Sequence, residues 1–299
     1  MSNPSHSFHT PVLLDESLSA LNIKPDGIYV DVTYGGGGHS RPILDRLNAK
    51  GHLYAFDQDE AAKANALSDP RFTFVQGNFT YLEHFMRYYK EGHVDGILAD
   101  LGVSSHHFDE GSRGFSYRFE SLLDMRMNQS AQRTARDVIA HSSVERLVEI
   151  FSKYGELRNA KTFAGELVKT RRVKEIKTIR DLLDIINRVY RGDLQKYTSQ
   201  VFQALRIEVN DEFGVLENFL EAALRMLKSG GRLVVISYHS LEDKIVKRHF
   251  LKSAKVFDEY GRESGVIKRI TQKPLLPGKE EIIINSRAAS AKLRVVEKI

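Results

Sequence analysis

Four consecutive glycines, Gly35 to Gly38, stand between a strand pattern at Ile28–Thr33 and a helix pattern through Ile43, Leu44 and Leu47. Glycine tolerates positive φ and lets a ligand approach the main chain closely. The start of a helix adds unpaired N–H groups at the same place. Four flexible residues in a row are entropically costly, which favours a ligand loop over a plain turn. Asp57 lies nineteen residues beyond Gly38, at the end of the next apolar run, Leu53–Phe56. A carboxylate there grips the hydroxyls of a ribose. The pair therefore points to a cofactor that contains a nucleoside.

The loop narrows the choice of cofactor. A dinucleotide fingerprint needs G-x-G-x-x-G, and both registers of this loop lack the third glycine. No G-x-x-x-x-G-K-[ST] occurs, which removes a P-loop. Asp31 precedes the loop, where it repels a pyrophosphate but attracts an ammonium group, directly or through the loop. S-adenosylmethionine carries such a group. It is the expected cofactor, with a nicotinamide dinucleotide as the alternative.

Further strand patterns at Phe72–Val75 and Val94–Ala99 alternate with helical segments, as in a parallel sheet covered on both faces. The next strand pattern is Arg232–Ser237, announced by a helix stop at Gly230-Gly231. More than a hundred residues separate it from Asp100, far beyond the dozen or so that a crossover needs. The content between is helical. Ser142 and Glu145 are spaced as a capping box. Apolar stripes follow at Leu147, Ile150, Phe151 and Tyr154, at Phe163, Ala164, Leu167 and Val168, and at Leu182, Ile185, Ile186 and Val189. The helix around Leu216 to Leu227 returns to the parent fold, and Lys292–Val296 reads as a last edge strand. The expected architecture is α/β, a Rossmann-like sheet over residues 1–109 and 211–299 with an all-helical domain, 110–210, inserted into it.

Charge is unevenly spread over the 299 residues. Residues 158–198 hold eleven Lys or Arg against five Asp or Glu, and residues 268–298 eight against three, so the rest of a chain of net charge +5 is acidic. Two basic stretches on an acidic body fit a polyanionic partner, or two solvated helical faces. There is no cysteine, which excludes disulfides, thiolate metal sites and cysteine nucleophiles. It also fits a reducing cytoplasm. No apolar run is long enough to span a bilayer and the first ten residues are polar, so neither a membrane anchor nor a secretory signal is expected. The histidines show no metal-ligand spacing, and no metal is expected.

Several longer motifs occur together. They include His9-Thr-Pro-Val-Leu-Leu-Asp-Glu16, Gly37-Gly-His-Ser40, Asp100-Leu-Gly-Val-Ser-Ser105, Arg113-Gly-Phe-Ser-Tyr117 and Leu123-Asp-Met-Arg-Met127. Phe202-Gln-Ala-Leu-Arg-Ile207 with Val209-Asn210, Ser237-Tyr-His-Ser-Leu-Glu-Asp243 and Asn285-x-Arg-Ala288 complete the set. Through them the chain resembles the bacterial MraW/RsmH methyltransferases nearly end to end. The resemblance implies an S-adenosylmethionine-dependent enzyme that methylates N4 of cytosine 1402 in 16S rRNA, either as naked rRNA or within the small ribosomal subunit. It also implies that Gly37, Gly38, His39, Asp57, Phe79 and Asp100 contact the cofactor. Where the family usually has Pro-Gln after the two serines, this chain has His106-His107, so His107 replaces the glutamine that contacts the cofactor.

Cytosine N4 is a weak nucleophile, and an acceptor for its proton would help. Asp100 is the first candidate, at the end of its strand. Tyr238, His239 and Ser240 follow at the end of the later strand, although Ser240 also reads as a helix cap with Asp243 in the first turn. Arg113 and Phe115 are candidates to stack on the target base. Arg171 and Arg172, with Lys169, Lys174, Lys177 and Arg180, are candidates for phosphate contacts. Arg126 and Arg206 are candidate buttresses between domains. The competing functions are a nicotinamide-dependent oxidoreductase and a non-catalytic RNA-binding protein on the same fold.

Overall fold

The computed structural model describes residues 11–102, 111–254 and 265–299. The chain divides into two compact units, Met1–Gly102 with Gly214–Ile299, and Val103–Phe213.

The first unit carries one seven-stranded sheet. Its strands are β1 (Ile28–Asp31), β2 (His52–Asp57), β3 (Phe72–Gln76), β4 (Val94–Asp100), β5 (Leu227–Ser237), β6 (Ile267–Arg269) and β7 (Lys292–Lys298). They lie in the order β3-β2-β1-β4-β5-β7-β6. Neighbours from β3 to β5 are parallel, and β7 runs antiparallel to both β5 and β6. The order reverses between β1 and β4, the place where ligands bind in open α/β sheets. This is a Rossmann-like α/β sheet with one reversed strand. Helices α1 (Leu14–Leu21) and α2 (Ser40–Leu44) put Leu18, Leu21, Ile43 and Leu44 into one apolar cluster with Leu53, Leu98, Val234 and Val295 of the sheet. The first six residues of β4 are all buried, as expected for a strand covered on both faces.

Three sequence expectations change here. β7 is not an edge, because the short β6 pairs on its outer side. Gly230-Gly231 does not stop a helix. The preceding helix ends at Met226 and the glycines sit inside β5, where the pairing with β4 slips between Val94 and Gly96. Gly230 has φ +76°, and a Cβ on Gly231 would lie 2.9 Å from the Lys228 carbonyl, so the bulge needs both. The helix after the glycine loop ends at Leu44, short of Leu47, which closes a turn by donating its N–H to Leu44.

The second unit is helical: α4 (Ala135–His141), α5 (Val144–Lys153), α6 (Ala160–Arg171), α7 (Ile179–Val189) and α8 (Leu194–Asn210). The three expected stripes converge on one core containing Leu147, Phe151, Phe163, Leu167, Leu182 and Ile186, joined by Val201 and Leu205. The expected capping box at Ser142 is displaced. Ser142 closes α4, and Ser143 caps α5 by accepting from Arg146 N. Complete capping boxes stand instead at Thr134/Asp137 and Thr178/Asp181. The helix α9 (Glu212–Met226) follows. The remaining helices, α3 (Leu82–Tyr88), α10 (Ser240–Ala254) and α11 (Lys279–Ile284), belong to the sheet unit. No helix among the described residues is long and apolar enough to cross a membrane.

Candidate cofactor crevice

The carboxyl ends of β1 to β5 bring together most of the expected residues. β1 ends at Asp31, whose side chain is almost wholly buried. Its Oδ1 accepts from the Thr33 N–H at 3.0 Å and its Oδ2 from the Ser40 hydroxyl at 2.7 Å. Asp31 thus ties the two ends of the glycine loop together. Within the loop, Gly37 has φ +78° and donates its N–H to Tyr34 O at 2.8 Å. A Cβ there would lie 2.8 Å from the Tyr34 hydroxyl, whereas a Cβ on Gly36 would meet no atom within 4 Å. Gly37 is therefore glycine for the turn, and Gly36 keeps the main chain open to an approaching group.

Asp57 ends β2 and faces this loop. Its Oδ2 accepts from Gly35 N and its Oδ1 from Asp59 N, both at 2.8 Å. Asp57 is partly exposed at this edge, where a carboxylate can meet a ribose hydroxyl. After β3, Asn78 caps a short turn and donates to Gln58 at 2.9 Å. Phe79 opens that turn and packs edge-on against Phe219 at 5.1 Å.

Asp100 ends β4. Its N–H donates to the Thr33 hydroxyl at 2.7 Å, which joins the ends of β1 and β4. Its Oδ1 accepts from the Tyr238 hydroxyl at 2.7 Å, and its Oδ2 lies 3.7 Å from His39 Nδ1. Burial pushes the Asp100 carboxyl up to about 6, against the opposing pull of His39 and Tyr238. The Tyr238 phenol is driven well above its usual range by burial and by this carboxylate. His39 is itself buried, with Nε2 3.0 Å from the Val12 carbonyl.

At the end of β5 the expected roles shift by one residue. His239, not Ser240, caps α10: its Nδ1 accepts from Glu242 N, and Glu242 Oε2 accepts from His239 N, each at 3.3 Å. Glu242 Oε1 also lies 3.0 Å from His239 Nε2. The ring of His239 is thus engaged by the helix start. Ser240 is exposed at the first helical position. Thr33 and Tyr238 are the polar residues that the strand patterns did not single out as Asp100 partners. The Asp31-x-Thr33 turn was their nearest signal. His107 lies outside the described residues.

In the helical unit the candidate base-stacking residues are not available for stacking. Phe115 is buried in the helical core, and Arg113 is only 5% exposed. Arg113 Nη2 donates to the carbonyls of Arg126 and Met127 at 2.9 and 3.1 Å. Arg126 clasps Asp124 through two bonds of 2.8 and 2.6 Å, and Arg206 clasps Glu212 at 2.7 and 2.9 Å. Arg171 Nη1 donates to Ile139 O and Ser142 O, pinning the end of α4 to α6. Arg172 is exposed beside Lys169, Lys174, Lys177 and Arg180.

Glycine main chain and the carboxylates of Asp31, Asp57 and Asp100 at one sheet edge suit a nucleoside that bears positive charge. They suit a pyrophosphate poorly. Comparison with known proteins decides the family: the model of the MraW methylase family matches residues 6–299. The chain belongs to the MraW methylase family. As a methylase it takes its methyl group from S-adenosylmethionine, and the nicotinamide alternative is set aside.

Its relatives among MraW methylases match from end to end. The ribosomal RNA small subunit methyltransferase H of Parabacteroides distasonis is 52% identical over 306 residues, covering all of both chains. That of Phocaeicola vulgatus is 52% identical over 304 residues with the same coverage. That of Porphyromonas gingivalis is 52% identical over 303 residues, 98% of this chain and 97% of the relative. Among solved structures, an rRNA methylase from Streptococcus thermophilus aligns with a TM-score of 0.41 at 14% identity, covering all of this chain and 98% of that one.

Proposed function

We propose that this MraW methylase transfers the methyl group to N4 of cytosine 1402 of 16S rRNA, with Asp100 accepting the amino proton. End-to-end identity of about half to relatives named as small-subunit rRNA methyltransferases supports rRNA as the substrate. The Asp100 carboxylate carries the chemical reading, because it is partly exposed at the sheet edge with one oxygen engaged by Tyr238.

Bound S-adenosylmethionine supplies a methyl group on a positively charged sulfur. Gly36 would let the main chain approach it beside the turn that Gly37 forms, Asp57 would take the ribose hydroxyls and Phe79 would lie against the adenine. Gly38 and His39 complete the wall of the crevice. Asp100 polarises the N4 amino group by accepting its hydrogen and then takes the proton as the N4–methyl bond forms. Holding the amine in line with the methyl contributes much of the rate. The exposed basic segment Lys169, Arg172, Lys174, Lys177 and Arg180 neutralises rRNA phosphates, so affinity falls with salt. With Phe115 and Arg113 buried, the target base is gripped by other groups.

The test is transfer of labelled methyl from S-adenosylmethionine to unmethylated small subunits and, separately, to naked 16S rRNA, followed by nucleoside chromatography. Label in N4-methylcytosine at that position supports the reading. Label in another nucleoside overturns it, and no label with intact cofactor binding favours a non-catalytic RNA-binding protein.

A further inference from the structure

We propose that Tyr238 is a positioning residue for Asp100: its hydroxyl holds Oδ1, leaving Oδ2, the oxygen that faces His39, to take the proton from the substrate amine. This rests on the methyl-transfer reading above and adds a residue and an atom to it.

The geometry assigns the two oxygens different tasks. Oδ1 accepts the Tyr238 hydroxyl at 2.7 Å, and Tyr238 is anchored behind by Glu242 Oε2, which accepts its N–H at 3.0 Å. The ring also packs against the strand end, since a Cβ on Gly102 would lie 3.3 Å from it. The phenol keeps its proton, so it donates to the carboxylate. Oδ2 faces His39 Nδ1 at 3.7 Å. A carbonyl can only accept, so His39 Nε2 donates to the Val12 carbonyl at 3.0 Å. In the reaction the carbon–sulfur bond breaks, the N4–carbon bond forms and positive charge passes to nitrogen. N4 then gives one proton to Oδ2, the oxygen on the His39 side. The Asp100 main chain is fixed independently by its N–H to Thr33 Oγ1, so losing the Tyr238 hydroxyl frees the carboxylate without moving the strand.

The groups that face the carboxylate are His39 from the start of α2, Asp31 from β1, Tyr238 from the end of β5 and Glu242 from α10. His39 and Tyr238 favour the ionised form, and Asp31 and Glu242 disfavour it. Tyr238→Phe deletes one favourable contact and leaves the other three. Losing a hydrogen bond to a charged group should raise the midpoint by about one unit or more.

The experiment follows the Asp100 carboxyl by carbon-13 NMR against pH in the full chain, without cofactor or RNA, for wild type and Tyr238→Phe. Single-turnover methyl transfer is measured over the same pH range at saturating cofactor and rRNA. The expected result is a higher Asp100 midpoint in Tyr238→Phe, with the acidic limb of the rate profile moved by the same amount and the alkaline plateau kept within a few fold. An unmoved midpoint overturns the proposal. So does a moved midpoint with an unmoved rate profile, or a rate lost at every pH. If Tyr238→Phe does not fold, 3-fluorotyrosine placed at position 238, a stronger donor, must lower the midpoint, and no shift overturns the proposal. Absence of methyl transfer by wild type would instead defeat the proposed function, and the NMR arm would still judge the contact.

Discussion

The Gly35 N–H donates to Asp57 Oδ2 at 2.8 Å, so the glycine loop and the carboxylate of the next strand are bonded to each other. Features that the sequence separates by more than twenty residues form one preorganised wall. Asp31 holds the other side of the same loop through Thr33 and Ser40. A ligand that enters meets a shape already made, which lowers the ordering cost of binding.

Gly36→Ala and Gly37→Ala should separate ligand access from backbone demand. At Gly36 the new methyl meets no protein atom, so thermal stability should hold within about 0.5 kcal/mol while S-adenosylmethionine affinity falls. At Gly37 the φ of +78° and the Tyr34 hydroxyl make the same change destabilising by roughly 1–3 kcal/mol. Thermal denaturation with calorimetric titration checks both. Equal stability losses in the two variants would refute the distinction.

Asp100→Asn should trade stability against activity. The carboxyl is pushed up to about 6 in the folded protein from an ordinary 3.8. For an acid shifted upward, the folded state is penalised above the folded value, and the penalty disappears as pH falls below the unfolded value. The variant should therefore be more stable than wild type at pH 8, on the order of 1–3 kcal/mol, with the gap closing toward pH 4. Methyl transfer should drop by about 10²-fold or more. Melting curves across that range, beside the rate, give the check. A variant less stable than wild type at pH 8 would contradict the origin of the shift.

Neighbouring arginines on the helical unit should behave differently. Arg171 donates to Ile139 O and Ser142 O, so Arg171→Ala leaves two carbonyls short of a partner and should destabilise the protein by roughly 1–3 kcal/mol. Arg172→Glu should leave stability nearly unchanged, weaken rRNA binding and flatten its salt dependence. Filter binding at several salt concentrations, with melting curves, distinguishes the two.

What the sequence revealed and what it hid follow one physical line. Strands β1 to β5 were legible because buried parallel strands are short apolar runs between helices. The glycine loop and Asp57 were legible because their chemistry is local. β6 was missed because Ile267–Arg269 is three residues long and gains its identity only by pairing with β7. Gly230-Gly231 was misread because a bulge and a helix stop ask for the same residue. Phe115 and Arg113 looked like a base platform because aromatic and basic neighbours also describe a packed loop. Only the helical core reveals that Phe115 is inside it. Tyr238 was visible as a polar residue after a strand, but its bond to Asp100 spans 138 positions.

The account depends most on a cofactor ribose held by Asp57. Calorimetric titration of wild type and Asp57→Ala with S-adenosylmethionine, and of wild type with NAD, tests it directly. The account predicts binding of S-adenosylmethionine by wild type, a loss of roughly 10- to 100-fold in Asp57→Ala for hydrogen bonds to a charged group, and no binding of NAD. Unchanged affinity in a folded Asp57→Ala, or binding of NAD in place of S-adenosylmethionine, would contradict it.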